Sequence, residues 1–247
     1  MPSPPLRIAI LECDHPPANA RVKFGHYGGV FTSLLNSAAA TLTPPPALQI
    51  SRYDVVTAQE YPPLDAIDAI LITGSRFTAF ESDPWILKLV DFVKSILAQD
   101  RIRIIGVCFG HQILARALGA PVHRSPIGWE ISVVPLTLTP VGKKLFGVDK
   151  LAIHQMHRDV VGEYPEGVEK LAYTDTCPVQ GMYVKNRFIT VQGHPEFTEE
   201  IVRELLAVRH ESGIFDGATF GEGMGRVADG QDGVVVARAF LKFLLED

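Results

Sequence analysis

The chain has 247 residues, enough to bury a substantial core. Apolar residues make up 47% and charged residues 21%, proportions that exclude a disordered or collagen-like chain. A formal charge of -5 with no long basic block gives no electrostatic footprint for nucleic acid or for an anionic membrane surface.

Three cysteines, Cys13, Cys108 and Cys177, show none of the close pairing of a zinc site or disulfide framework, which implies a reducing compartment. The start Met-Pro-Ser-Pro-Pro lacks the charge and the apolar length of a signal peptide. No apolar run approaches the roughly 20 residues that span a bilayer. The expectation is a soluble, cytoplasmic protein.

In chain order, an apolar strand over 6–11 is followed by a helical pattern over 30–40 and a break at Pro44-Pro45-Pro46. Strands at 48–56 and 69–73, a helix at 84–98, a strand at 102–107 and a helix at 111–118 follow. This alternation predicts an α/β fold with a central, mostly parallel sheet flanked by helices. The helix at Pro84 carries the stripe Ile86, Leu89, Val90, Val93 and Leu97, with Asp83 as a cap and Pro84 in its first turn.

Beyond Gly119 the pattern changes to short strands at 130–139, 151–154, 168–173, 182–184 and 187–191, which read as mixed or antiparallel sheet. Helices at 199–210, capped by Thr198, and 234–245, with Asp232 nearby as a cap, complete the reading. Between them, 213–233 is glycine-rich and reads as a long loop, a candidate lid. No domain boundary is visible, so 1–247 reads as a single domain.

Chemistry concentrates in two segments. In Ile104-Ile105-Gly106-Val107-Cys108-Phe109-Gly110-His111-Gln112 an apolar strand runs into a cysteine between glycines and then into a helix. A sulfur so placed sits at the positive end of a helix dipole, beside free backbone N–H groups, which favours thiolate. The geometry parallels the nucleophile elbow of α/β-hydrolases. By itself, a cysteine after an apolar strand is more often a small buried hydrophobe.

The second segment, Val191-Gln192-Gly193-His194-Pro195-Glu196, changes that balance. His194 and Glu196, two apart in an extended stretch, project to one face. They supply a proton-transfer group and the carboxylate that orients it. His154 and His157 could suggest a metal pair, but no third ligand motif accompanies them, and the expectation is no metal. Cys13 and Cys177 lack the elbow context and read as structural thiols.

Gly106-Val107-Cys108-Phe109-Gly110-His111-Gln112 followed by Gly193-His194-Pro195-Glu196 resembles the class I glutamine amidotransferase family. The strand and glycine loop Ile70-Leu71-Ile72-Thr73-Gly74-Ser75 agrees with it, as does the separation of Cys108 and His194 by 194 − 108 = 86 positions. The resemblance implies a flavodoxin-like glutaminase fold with an additional small antiparallel sheet and no cofactor. It implies Cys108 as nucleophile, His194 as base and acid, and Glu196 as orienter. Gly74 and the Phe109 amide would form the oxyanion hole, and Gln112, Ser75 and His157 would border the substrate.

The segment from Gly74 to Trp85, with Gly128-Trp129-Glu130, looks close to the plant γ-glutamyl peptidases within that family. This implies a stand-alone hydrolase acting on glutamine or a γ-glutamyl peptide. Two alternatives stay open: a glutaminase subunit delivering ammonia to a separate synthetase chain, and a non-catalytic binding or regulatory protein. The chain extends about fifty residues beyond Glu196, which leaves no room for a synthetase, so an acceptor enzyme would be a separate chain.

Overall fold

The computed structural model describes residues 5–246. β1 (Leu6–Glu12), β2 (Leu48–Asp54), β3 (Ala69–Ile72), β4 (Arg103–Val107) and β11 (Phe188–Val191) form a parallel block. β10 (Gly181–Val184), β9 (Glu169–Tyr173), β6 (Glu130–Leu138) and β7 (Leu151–His157) extend the same sheet antiparallel. The strand order is β2-β1-β3-β4-β11-β10-β9-β6-β7. A separate antiparallel pair joins β5 (Val122–Arg124) to β8 (Asp159–Val161). The fold is thus α/β, mostly parallel at its centre, with a small antiparallel sheet beside it.

The central strands are apolar without alternation because both of their faces are covered. Ile8 and Ile10 pack with Leu71, Ile105 and Val107 under α2 (Tyr27–Ala39) and α8 (Gly233–Leu245). Their neighbours Ala9 and Leu11 point to the opposite face, where Ile70, Ile72 and Ile104 meet α3 (Pro84–Leu97) and α4 (Phe109–Ala117). On α3, Ile86, Leu89 and Val93 are fully buried, as their stripe requires, each contributing about 1.5–3 kcal/mol relative to exposure.

Several sequence expectations need correction. Asp83 and Asp232 occupy N-cap positions, but neither carboxylate caps its helix. Asp232 instead accepts a hydrogen bond from the Ala152 amide at 2.8 Å and ties α8 to β7. Helix α1 (Ala18–Phe24) was not anticipated. Nor was α5 (Pro140–Phe146), although Thr139 accepts from the Gly142 amide, Pro140 starts it and Gly147 ends it in the left-handed region.

The expected loop 213–233 contains α7 (Gly217–Arg226). Asp216 caps it by accepting from the Thr219 amide at 2.7 Å. Its glycines obscure the helical pattern, and tertiary packing overrides their poor propensity. Gly223 lies against Leu206 and Ile131, while Phe220 and Met224 pack on the cluster formed with α6 (Glu199–Glu211). Among the described residues no helix is long and apolar enough to cross a membrane.

Candidate active site

Three adjacent parallel strands end together at their carboxyl edge. Ile72 of β3 pairs with Gly106 of β4, and Val107 of β4 pairs with Val191 of β11. The chain leaving β3 therefore carries Gly74, that leaving β4 carries Cys108 and that leaving β11 carries His194 to one place. The carboxyl ends of parallel strands are where open α/β sheets hold their ligands.

Cys108 adopts φ 52°, ψ -102°, a left-handed conformation that costs a non-glycine residue energy and is held by its surroundings. Its amide donates to Val191 O at 2.9 Å, and its carbonyl accepts from the Gln112 amide at 3.1 Å, so the strand ladder and the helix each fix one side. The flanking glycines are required by close approach. A methyl at Gly106 would stand 2.8 Å from Gly110 O, and one at Gly110 would strike the Ile72 carbonyl. Cys108 is the N-cap of α4, two residues earlier than the sequence pattern suggests, and Phe109 opens the helix with an N–H that has no intrahelical acceptor.

His194 Nδ1 donates to Glu196 Oε1 at 2.7 Å, and the same ring abuts the Gly74 loop beside Cys108 and lines one cavity with it. With Nδ1 occupied by the carboxylate, Nε2 is the nitrogen available to the sulfur. All three residues are buried. Burial disfavours the imidazolium, but the Glu196 and Cys108 charges outweigh it and hold the His194 pKa well above its usual value. Phe197 stacks on the imidazole at 3.9 Å with the ring planes 3° apart, and the His194 amide donates to His154 O at 2.7 Å. Gly74 presses on the same group: a methyl there would lie 2.6 Å from His194 Cε1 and 3.6 Å from Cys108 Cβ.

Gln112, Ser75 and His157 line the same cavity of about 500 Å³ as Cys108, Gly74 and His194. Their polar atoms are partly committed elsewhere. Gln112 Nε2 donates to Asp159 O at 2.8 Å and to Gln192 Oε1 at 3.1 Å. The Ser75 hydroxyl donates to Cys13 O at 2.8 Å and accepts from the Phe77 amide at 3.1 Å, which shapes the glycine loop. His157 spends both nitrogens, one on Asp159 O and the other on Glu130 Oε2 at 3.0 Å.

His154 and His157, three apart on a strand, face opposite ways and cannot ligate one ion together. Glu130, His157 and Cys177 do converge. Glu130, however, already accepts from Gln180 and Thr174 at 2.6 Å each besides His157, and burial pushes the Cys177 thiol up. Hydrogen bonds, not ligand geometry, organise this cluster. Cys13 is fully buried with its pKa raised chiefly by burial, the environment of a structural thiol.

Sequence reasoning gave no role to Phe197 or to the arginines of the cavity, and none to Glu130 beyond its place in Gly128-Trp129-Glu130. Phe197 directly follows Glu196 and was within reach of a local reading. Glu130 was not, because its partners come from three other segments.

Residues 29–206 match the family model for glutamine amidotransferase class I. The chain belongs to the class I glutamine amidotransferase family. A glutamine amidotransferase-like protein of Schizosaccharomyces pombe is 38% identical over 97% of this chain and 98% of its own length. Gamma-glutamyl peptidase 4 of Arabidopsis thaliana is 32% identical over 76% of this chain and 74% of its own. Among solved structures, a glutamine amidotransferase from Thermotoga maritima superposes with a TM-score of 0.74 at 18% identity, covering 98% of this chain and 99% of that one, which is a likeness of fold. For this class I glutamine amidotransferase, an amidotransferase- or hydrolase-type activity on a small molecule follows from the family.

Proposed function

We propose that the protein is a stand-alone cysteine hydrolase that cleaves a γ-glutamyl amide or peptide bond through a γ-glutamyl thioester on Cys108. The observation that carries this reading is the strained elbow at Cys108 beside an imidazole whose Nδ1 is held by Glu196 at 2.7 Å, with Gly74 abutting both. His194 takes the thiol proton, and the sulfur attacks the γ-carbonyl carbon. The oxygen gains the electron pair and meets the N–H groups of Gly74 and Phe109, each such donor being worth about 3–4 kcal/mol.

His194 then protonates the leaving amine, the C–N bond breaks and the thioester remains. Water, deprotonated by His194, attacks the thioester; the C–S bond breaks, glutamate leaves and the thiol is restored. Gln112, the loop at Ser75 and His157 border the glutamyl end. The 32% identity to a γ-glutamyl peptidase supports this substrate class over ammonia delivery.

The test supplies glutamine and γ-glutamyl peptides to the purified protein and to Cys108→Ala, following glutamate and amine release, with hydroxylamine as a thioester trap. The expected result is peptide turnover and a γ-glutamyl hydroxamate, both absent in the variant. Glutamate release without hydroxamate, or undiminished in Cys108→Ala, refutes the thioester route. Activity confined to glutamine refutes the peptidase assignment.

A further inference from the structure

The cavity is basic in an acidic protein. Against a chain charge of -5, its lining holds five arginines, at 21, 76, 124, 158 and 209, and two carboxylates, Asp14 and Asp159. Both carboxylates are taken: Asp14 pairs with Arg76 at 3.2 Å and Asp159 with Arg124 at 2.7 Å. Among the described residues, Arg21, Arg158 and Arg209 have no carboxylate within ion-pairing distance.

Arg158 and Arg209 converge from different elements. Arg158 sits in the link between β7 and β8, and Arg209 in the last turn of α6. Both guanidiniums lie over the ring of Trp129, 5.2 and 4.7 Å from its centroid, and Phe215 packs edge-on against the same ring at 5.1 Å. Arg209 Nη1 has neither solvent nor a hydrogen-bond partner. Burial lowers the Arg209 pKa and the like charge of Arg158 adds to this, while Tyr27, Cys108 and Asp14 pull the other way. Two like charges held against one aromatic ring, one with an unmet buried donor, call for an anion to supply the missing partner. Guanidinium geometry matches a carboxylate.

Cavity size and charge identify which carboxylate. Glutamine carries one carboxylate and a compensating ammonium, whereas the cavity offers three guanidiniums with no carboxylate within ion-pairing distance among the described residues. Its volume of about 500 Å³ falls within the range of sites that enclose far larger ligands, roughly 300–1,000 Å³. We propose that Arg158 and Arg209, held on Trp129, bind a carboxylate on the departing portion of the substrate. The protein then takes γ-glutamyl peptides with a free carboxylate on the leaving group, in preference to glutamine. This rests on the γ-glutamyl hydrolase reading and specifies its leaving group.

The substrate itself provides the decisive perturbation, because it leaves the protein intact. The tripeptide γ-Glu-Ala-Gly and its glycine amide differ in that one carboxylate. The full chain is expected to hydrolyse the acid with kcat/KM about 10- to 100-fold above the amide, the worth of a charge-assisted hydrogen bond, and above glutamine by at least as much. Arg158→Gln and Arg209→Gln should bring the acid-to-amide ratio towards one, and Arg158→Lys should keep part of it. Equal turnover of acid and amide by the wild type, glutamine turned over as fast as the acid, or a ratio that survives both glutamine variants overturns the inference while leaving the hydrolase reading standing. No turnover of any γ-glutamyl compound overturns both.

Discussion

Replacing Gly74 with alanine isolates the geometry of the site from its chemistry, because it adds one methyl and removes no functional group. The new Cβ would stand 2.6 Å from His194 Cε1, where ordinary contact begins at 3.4 Å, a shortfall of 0.8 Å. Neither Gly74 nor the ring can absorb this freely. His194 is stacked at 3.9 Å on Phe197, bonded through Nδ1 to Glu196 at 2.7 Å and anchored through its amide to His154 O at 2.7 Å. The imidazole must tilt, lengthening either its bond to Glu196 or its reach to Cys108. A displacement near 1 Å at a reacting group costs about 100-fold in rate, or ~2.7 kcal/mol of transition-state stabilisation. Gly74 is not in the left-handed region, so the backbone itself tolerates alanine and the stability cost is that of the overpacked contact, about 1–3 kcal/mol, read as a modest fall in melting temperature. The assay is kcat/KM for γ-glutamyl peptide hydrolysis beside a thermal melt. A Gly74→Ala protein with wild-type kcat/KM would refute the account of how this loop abuts His194.

Glu196→Gln keeps the shape of the triad but removes the charge that holds the His194 pKa up; kcat/KM should fall by about 10³-fold or more, and the imidazole should titrate lower, as measured by its NMR titration. A loss under tenfold would remove Glu196 from the role assigned to it. Burial lowers the pKa of His154 to about 4 and of His111 to about 3, so both stay neutral in the fold while the unfolded chain protonates near 6.5. Stability from these two groups is present above pH 6.5 and is lost as pH falls towards 4, by up to about 1.4 kcal/mol per pH unit for each. His194 is shifted the other way: its contribution is full below 6.5 and declines as pH rises through its folded value, so it adds no slope in the acid range. Urea midpoints at pH 5 and pH 7 check this, and equal midpoints would contradict it. In α7, a methyl at Gly221 or Gly225 meets nothing within 4 Å, so alanine there should stabilise by about 0.5–1 kcal/mol, whereas Gly223→Ala meets Leu206 at 2.8 Å and should not. Thermal melts that rank Gly223→Ala above Gly221→Ala would reverse the packing assigned to that helix.

Legibility followed locality. Helix α3 was readable because its apolar stripe, Ile86, Leu89, Val90 and Val93, is a property of consecutive turns and faces the sheet as the period requires. Helix α7 was not, since four glycines in ten residues erase the pattern and packing against Leu206 and Ile131 supplies what propensity does not. The cap positions at Asp83 and Asp232 were recognisable, but where each carboxylate goes depends on partners such as Ala152, remote in sequence.

By itself the sequence determined the elbow and the pair that answers it. Gly106, Cys108 and Gly110 are constrained by contacts among near neighbours and one adjacent strand, and His194 and Glu196 are two apart, so their chemistry is written in short segments. Only the tertiary structure decided how they meet, because β11 inserts beside β4 and closes a gap of 86 positions that no local rule encodes. It also decided the charge of the cavity. Arg158 and Arg209 lie on separate elements of an acidic chain and share no spacing; the fold alone brings both onto Trp129.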